Sequence, residues 1–148
     1  MKKKCVVLDL DGVVLNSAYL LKEIHDLGLK GEKMWEHFYT NCNSDRTQLI
    51  ESALELLKIL YDADLTVIFS TARNEKCMEE TTRKLWSYGI CFEKLYMRKD
   101  GDLRPSYEVK RDHLKEILKE YDVALFVDDD LSNCEMAKEL GVLALRKV

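Results

Sequence analysis

A chain of 148 residues, 47% hydrophobic and 34% charged, is long enough for one domain and too apolar to remain disordered. Its net charge of −4 excludes the strongly basic footprint of broad nucleic-acid binding, and no apolar run approaches the roughly 20 residues of a membrane span. Five scattered cysteines without a C-x-x-C pair, and without ligand spacing to His25, His37 or His113, exclude a disulfide framework and a zinc site.

The N-terminal lysines are followed by too few apolar residues to form a signal peptide, so a soluble, cytoplasmic protein with reduced thiols is expected. The first element is an apolar strand, residues 5–8, that runs straight into Asp9, Asp11 and Gly12. The i, i+2 spacing places both carboxylates on one side of an extended backbone. Gly12 lets the chain turn sharply or lets a ligand approach closely. Residues 16–44 break the rhythm of the rest of the chain. They carry two helical patterns, "YLLKEIHDLG" and "EKMWEHFYTNC", and read as a small helical cap inserted over the carboxyl end of a sheet. Trp35, Phe38 and Tyr39 lie in this insertion, where packing is the simpler expectation and stacking on a base the sharper one.

A helical period follows over 46–63, then a strand over 65–69. "STARN" comes next: Ser70 and Thr71 offer hydroxyls, Arg73 a planar cation, and the helix expected from Asn74 its N-terminal amides, all phosphate-binding parts. The next strand, 92–97, leads into "MRKDGDLRPSYEVK", which holds Arg98, Asp102, Arg104 and Lys110 around a turn at Gly101. A helix is expected from Ser106, directly after Pro105. The strand over 123–127 ends in Asp128, Asp129 and Asp130, before a short helix that stops at Gly141 and a last strand over 142–145. Three adjacent carboxylates repel one another unless a cation sits among them, and Mg²⁺ accepts such carboxylates together with water and phosphate oxygens. A helix N-terminus accounts for one of the three through its dipole.

Strands alternating with helices give an α/β fold: a doubly wound, Rossmann-like parallel sheet in a single domain spanning 1–148. Ligands then bind beyond the carboxyl ends of the strands, where the acidic and cationic residues gather. An EF-hand fails, because Val13 and Arg104 stand where its fifth position requires Asp or Asn, and neither G-x-x-x-x-G-K-[ST] nor G-x-G-x-x-G is present.

In order along the chain, "VVLDLDGVV", "VIFSTAR", Lys110 and "LFVDDD" resemble the four motifs of the haloacid dehalogenase (HAD) superfamily of phosphatases. Arg98, Gly101, Asp102, Arg104, Val109 and Lys110 are also similar to the stretch before the lysine in the 3′-phosphatase domain of phage polynucleotide kinases. Without a P-loop, the chain reads as a free-standing phosphatase half. It departs from the pattern at Val13, often Thr, at Ser106, where an acid is common, and at Asp130, where a basic residue can occur.

The resemblance implies that Asp9 is a nucleophile forming an aspartyl-phosphate and that Asp11 is the general acid and base. It implies Thr71 and Lys110 on the phosphate oxygens, with Lys110 also keeping Asp9 ionised, and Mg²⁺ held by Asp9, the Asp11 carbonyl, Asp128 and Asp129. Gly12, Ser70, Arg73, Arg98, Asp102 and Arg104 are the expected phosphate- and substrate-binding residues. The expected substrate is a nucleotide or polynucleotide 3′-phosphate end. Another phosphate ester, such as a 5′-nucleotide or sugar phosphate, is the alternative, and a non-catalytic binding module a further one. Neither a protein partner nor a membrane is implied.

Overall fold

Five strands carry the apolar runs into a single parallel sheet. A computed structural model describes all residues, Met1–Val148, and orders the sheet β5 (Lys94–Arg98), β4 (Thr66–Asn74), β1 (Lys3–Leu8), β6 (Tyr121–Asp128) and β7 (Ala144–Arg146). Every pairing within it is parallel. β1 lies at the centre, as its unbroken apolar run requires of a strand covered on both faces. This is the doubly wound α/β sheet expected from the sequence.

Strand alternation sorts the core into two layers. Val6 and Leu8 of β1 face one way, packing with Val67 and Phe69 of β4 against Leu57 and Leu60 of α3 (Glu51–Asp62) and Leu85 of α4 (Met78–Ser87). Cys5 and Val7 face the other way, with Ile68 and Phe126, against Leu114 and Ile117 of α5 (Ser106–Glu120) and Met136 and Ala137 of α6 (Leu131–Glu139). Full burial of one such aliphatic side chain stabilises by roughly 2 kcal/mol.

Between β1 and α3 lie α1 (Ala18–Asp26) and α2 (Gly31–Asn41). They are bracketed by a two-stranded antiparallel ribbon, β2 (Leu15–Asn16) against β3 (Gln48–Leu49). Leu20, Ile24, Phe38 and Cys42 of this segment share a small core with Cys77 and Met97.

Most boundaries shift by one or two residues from the sequence reading, and two differ by more. Residues 46–50 do not open α3, because Gln48 and Leu49 pair with β2 and Ile50 N–H donates to the Val14 carbonyl. β4 does not stop at Phe69 but runs on through "STARN" to Asn74, so the helical amides begin only after Asn74, whose Oδ1 accepts from the Lys76 amide. All five cysteines are free thiols. No helix is long and apolar enough to cross a membrane.

Candidate active site

β1 delivers Asp9 to the sheet's carboxyl end on the same face as Cys5 and Val7, the face covered by α5. On α5 the buried residues are Val109, Lys110, His113, Leu114 and Ile117, one helical stripe. Lys110 is its only cation, and it meets Asp9 there.

Lys110 Nζ lies 2.8 Å from Asp9 Oδ1 and 2.6 Å from Asp128 Oδ2, with all three residues buried. The two carboxylates raise the lysine's pKa against the effect of burial. For Asp9 the balance is reversed. Burial pushes its pKa well above the usual carboxylate range, Lys110 opposes that shift, and Asp128 reinforces it. Lys110 therefore pairs with Asp9 as anticipated, and its one ammonium is shared between two buried carboxylates. Asp9 Oδ1 also accepts from the Leu10 amide at 2.8 Å. Asp9 Oδ2 receives no hydrogen bond from a donor in the protein.

Asp9, Asp128 and Asp129 present carboxylate oxygens within 4.8 Å of one another. Burial and the adjacent Asp128 push Asp129 upward as well. Three acids sharing one lysine are short of positive charge, and their all-oxygen donor set suits a hard divalent cation. The Asp11 carbonyl, expected as a further oxygen ligand, accepts no hydrogen bond within the protein. At Gly12 the backbone has φ +85°, and a Cβ there would lie 2.1 Å from Asp129 Oδ2. Only glycine leaves the third carboxylate in place. These residues fit a magnesium ion.

The three aspartates after β6 divide their work. Asp128 Oδ1 accepts from the Asp130 amide at 3.0 Å and from Asn133 Nδ2 at 3.1 Å. Asp129 joins the cluster. Asp130 caps α6 by accepting from the Ser132 amide.

The Asp11 carboxylate turns away from the cluster toward Arg73. Arg73 Nε donates to Oδ2 at 2.8 Å and Nη2 to Oδ1 at 2.7 Å, while Ser17 Oγ donates to Oδ1 at 2.8 Å. Burial raises the Asp11 pKa, but the Arg73 charge and these hydrogen bonds outweigh it and hold the carboxyl below its ordinary range. The rest of the guanidinium is also engaged. Nη1 donates to Asn43 Oδ1 and Thr81 Oγ1, and Nη2 to the Cys42 carbonyl. Five donors meet five acceptors, so Arg73, anticipated as a phosphate contact, has no free N–H.

Thr71 Oγ1 accepts from the Arg73 amide at 3.1 Å, and its own proton has no acceptor in the protein. Ser70, also anticipated on the phosphate, is turned by the alternation along β4 toward α5 and does not line the site cavity. His113 Nε2 faces the Met97 carbonyl at 3.1 Å and must donate to it, so Nδ1 accepts from Ser70 Oγ at 2.8 Å.

Beyond Gly101 the charged residues are largely paired with one another. Arg104 forms ion pairs with Asp102 and Asp112 and lines the site cavity, which Asp102 does not. Arg98 differs. Its Nε donates to the Ala72 carbonyl and its Nη1 to those of Asp102 and Arg104, with no carboxylate partner. One cavity of about 490 Å³ brings together Asp9, Asp11, Thr71, Arg98, Lys110 and Asp129. Sequence reasoning missed Ser17, Asn43, Asn133 and His113. Only Asn133 carried a signal, one helical turn beyond the Asp130 cap.

The model of the polynucleotide kinase PNKP phosphatase domain matches residues 3–146. No curated protein matches the chain. Among solved structures, a chain of the Pnkp1/Rnl/Hen1 RNA repair complex superposes with a TM-score of 0.76 at 25% identity, covering 99% of this chain and 42% of that one. The class C acid phosphatase from Bacillus anthracis with tungstate bound gives 0.71 at 15% identity, covering 99% and 67%. A HAD-superfamily hydrolase from Ehrlichia chaffeensis gives 0.62 at 20% identity, covering 99% and 88%. This chain thus spans less than half the length of its RNA-repair relative, and it belongs to the PNKP phosphatase-domain family of HAD phosphatases.

Proposed function

We propose that this phosphatase is a magnesium-dependent phosphomonoesterase that removes the phosphate from nucleotide or polynucleotide 3′ ends through an aspartyl-phosphate. The observation carrying the reading is the state of Asp9: buried, held at Oδ1 by Lys110 and the Leu10 amide, and unpartnered at Oδ2 beside an all-oxygen cation cradle. Membership of the PNKP phosphatase-domain family supports the 3′ end as substrate.

Asp9 Oδ2 attacks phosphorus, and the bond from phosphorus to the ester oxygen breaks. Asp11 passes a proton to that leaving oxygen, which departs as an alcohol. Arg73 favours ionised Asp11, so this proton enters with a monoanionic ester and is relayed through Asp11. A water then attacks the phospho-Asp9 and gives its proton to Asp11, and the bond between phosphorus and Asp9 breaks to release phosphate. Lys110 and the Thr71 hydroxyl stabilise charge on the non-bridging oxygens. When bound by Asp9, the Asp11 carbonyl, Asp128 and Asp129, Mg²⁺ supplies the positive charge that lets an anionic nucleophile approach an anionic ester.

The test is phosphate release from a 3′-phosphorylated oligonucleotide, a 5′-mononucleotide and a sugar phosphate, with Mg²⁺ and with excess EDTA. The oligonucleotide should have the highest kcat/KM, and EDTA and Asp9→Asn should each abolish turnover. Activity of Asp9→Asn within tenfold of wild type removes the nucleophile assignment, full turnover in EDTA removes the metal, and preference for the sugar phosphate removes the 3′ end.

A further inference from the structure

The 490 Å³ cavity does not end at the phosphate centre. It continues outward between α1 and α2 on one side and residues 99–105 on the other. Leu21, Trp35 and Leu103 line it there and are 63%, 47% and 91% exposed. Three large apolar side chains left in solvent around one mouth call for a ligand, and a phosphate group alone would touch none of them.

The Trp35 indole is held in place. It stacks on Tyr39, with centroids 5.9 Å apart and an interplanar angle of 20°, and meets Phe38 edge-on at 6.5 Å and 82°. Phe38 is buried in the small core of the segment and anchors the stack. Tyr39 backs the indole, which presents its remaining surface at little cost in side-chain entropy on binding. Arg98 lines the same cavity with its charge unpaired by any carboxylate. The cavity therefore brings together an acidic cluster with Lys110, an unpaired guanidinium, and a packed aromatic wall. A phosphate carried on a nucleoside has that combination of chemistry. A sugar phosphate has no π face to lay against the indole.

We infer that Trp35 is the stacking platform for the base of the 3′-terminal nucleotide. The inference rests on the proposed 3′-phosphatase activity and names what that site holds beyond the phosphate. Because every base has a π face, the platform accepts all four bases, with Arg98 beside the phosphate or the backbone next to it. Trp35 acts here in specificity and takes no part in bond breaking.

The experiment compares two short 3′-phosphorylated oligonucleotides, one with an ordinary terminal base and one with an abasic terminal sugar. Wild type should prefer the base-bearing ester by roughly tenfold in kcat/KM, the scale of one stacked base. Trp35→Ala should collapse the ratio of the two esters toward one, and Trp35→Phe should largely restore it. Equal treatment of the esters by wild type, or an equal loss on both in Trp35→Ala, overturns the platform and leaves the 3′-phosphatase standing. A dimer that Trp35→Ala converts to monomer assigns the wall to a second copy and also overturns it. Hydrolysis of neither ester defeats the 3′-phosphatase reading itself and the inference with it.

Discussion

Arg73 and Asp11, 62 positions apart, are joined by two parallel hydrogen bonds of 2.7 and 2.8 Å. The remaining Arg73 donors reach Cys42 and Asn43, beyond the end of α2, and Thr81 on α4. One guanidinium thus orients the acid–base candidate and ties the helical segment to the sheet. Arg73→Lys keeps the charge but loses the planar fork. It should lower kcat by roughly 10²-fold, the smaller end of a general acid–base contribution. A lower melting temperature should accompany it, and steady-state kinetics with calorimetry check both.

Lys110 is the only cation in direct contact with Asp9 and Asp128. Lys110→Met should lower kcat by roughly 10²- to 10³-fold, as loss of one preorganised charge at a reacting centre does. In the metal-free protein it should also destabilise by about 3–5 kcal/mol, because two buried carboxylates lose their partner. Denaturant unfolding in EDTA measures the second effect.

Binding to a cradle that exists only when folded stabilises the fold. Magnesium at one hundred times its Kd should add about 2.7 kcal/mol, a rise in melting temperature of roughly 5–10 °C for a chain of this size. Asp128→Asn should remove most of that rise. Calorimetric scans with Mg²⁺ and with EDTA read it directly.

Gly12 has φ +85°, and a side chain there would collide with the Asp129 carboxylate. Gly12→Ala should cost about 1–3 kcal/mol of stability from backbone strain and weaken magnesium affinity as Asp129 shifts. Isothermal titration with Mg²⁺ measures the affinity.

His113 is buried and neutral between Ser70 and the Met97 carbonyl, and burial lowers its pKa to about 4. The unfolded chain holds a proton on this residue up to about pH 6.5, while the folded chain does not. The resulting contribution is present in full above pH 6.5 and is lost as pH falls toward 4. It is on the order of 3 kcal/mol. His113→Gln should flatten the stability curve across that window, which denaturant unfolding at stepped pH reveals.

The fold and the carboxylate positions were legible because both depend on short-range pattern. Val6 and Leu8 against Cys5 and Val7 encode a strand covered on both faces. Asp9 and Asp128 stand where those apolar runs end, at the carboxyl edge of a parallel sheet. The start of α3 was not legible. Residues 46–50 continue a helical period, and only pairing of Gln48 and Leu49 with β2, more than thirty residues earlier, draws them into a ribbon.

The sequence by itself determined the doubly wound sheet and the placement of Asp9, Lys110, Asp128 and Asp129 at its carboxyl edge, since alternation and helical spacing are local properties of the chain. Tertiary structure decided which polar groups remain free. Ser70 and Thr71 are neighbours of similar chemistry, yet strand alternation and the arrival of His113 engage one hydroxyl and leave the other's proton unpaired. Arg73 and Arg98 are both arginines near a strand end, yet carboxylate, amide, hydroxyl and carbonyl oxygens from distant positions meet every donor of the first, and no carboxylate pairs with the second. A hydrogen-bonding group acts on a ligand only when its own protein has not already satisfied it, and the partners that satisfy it come from anywhere in the chain.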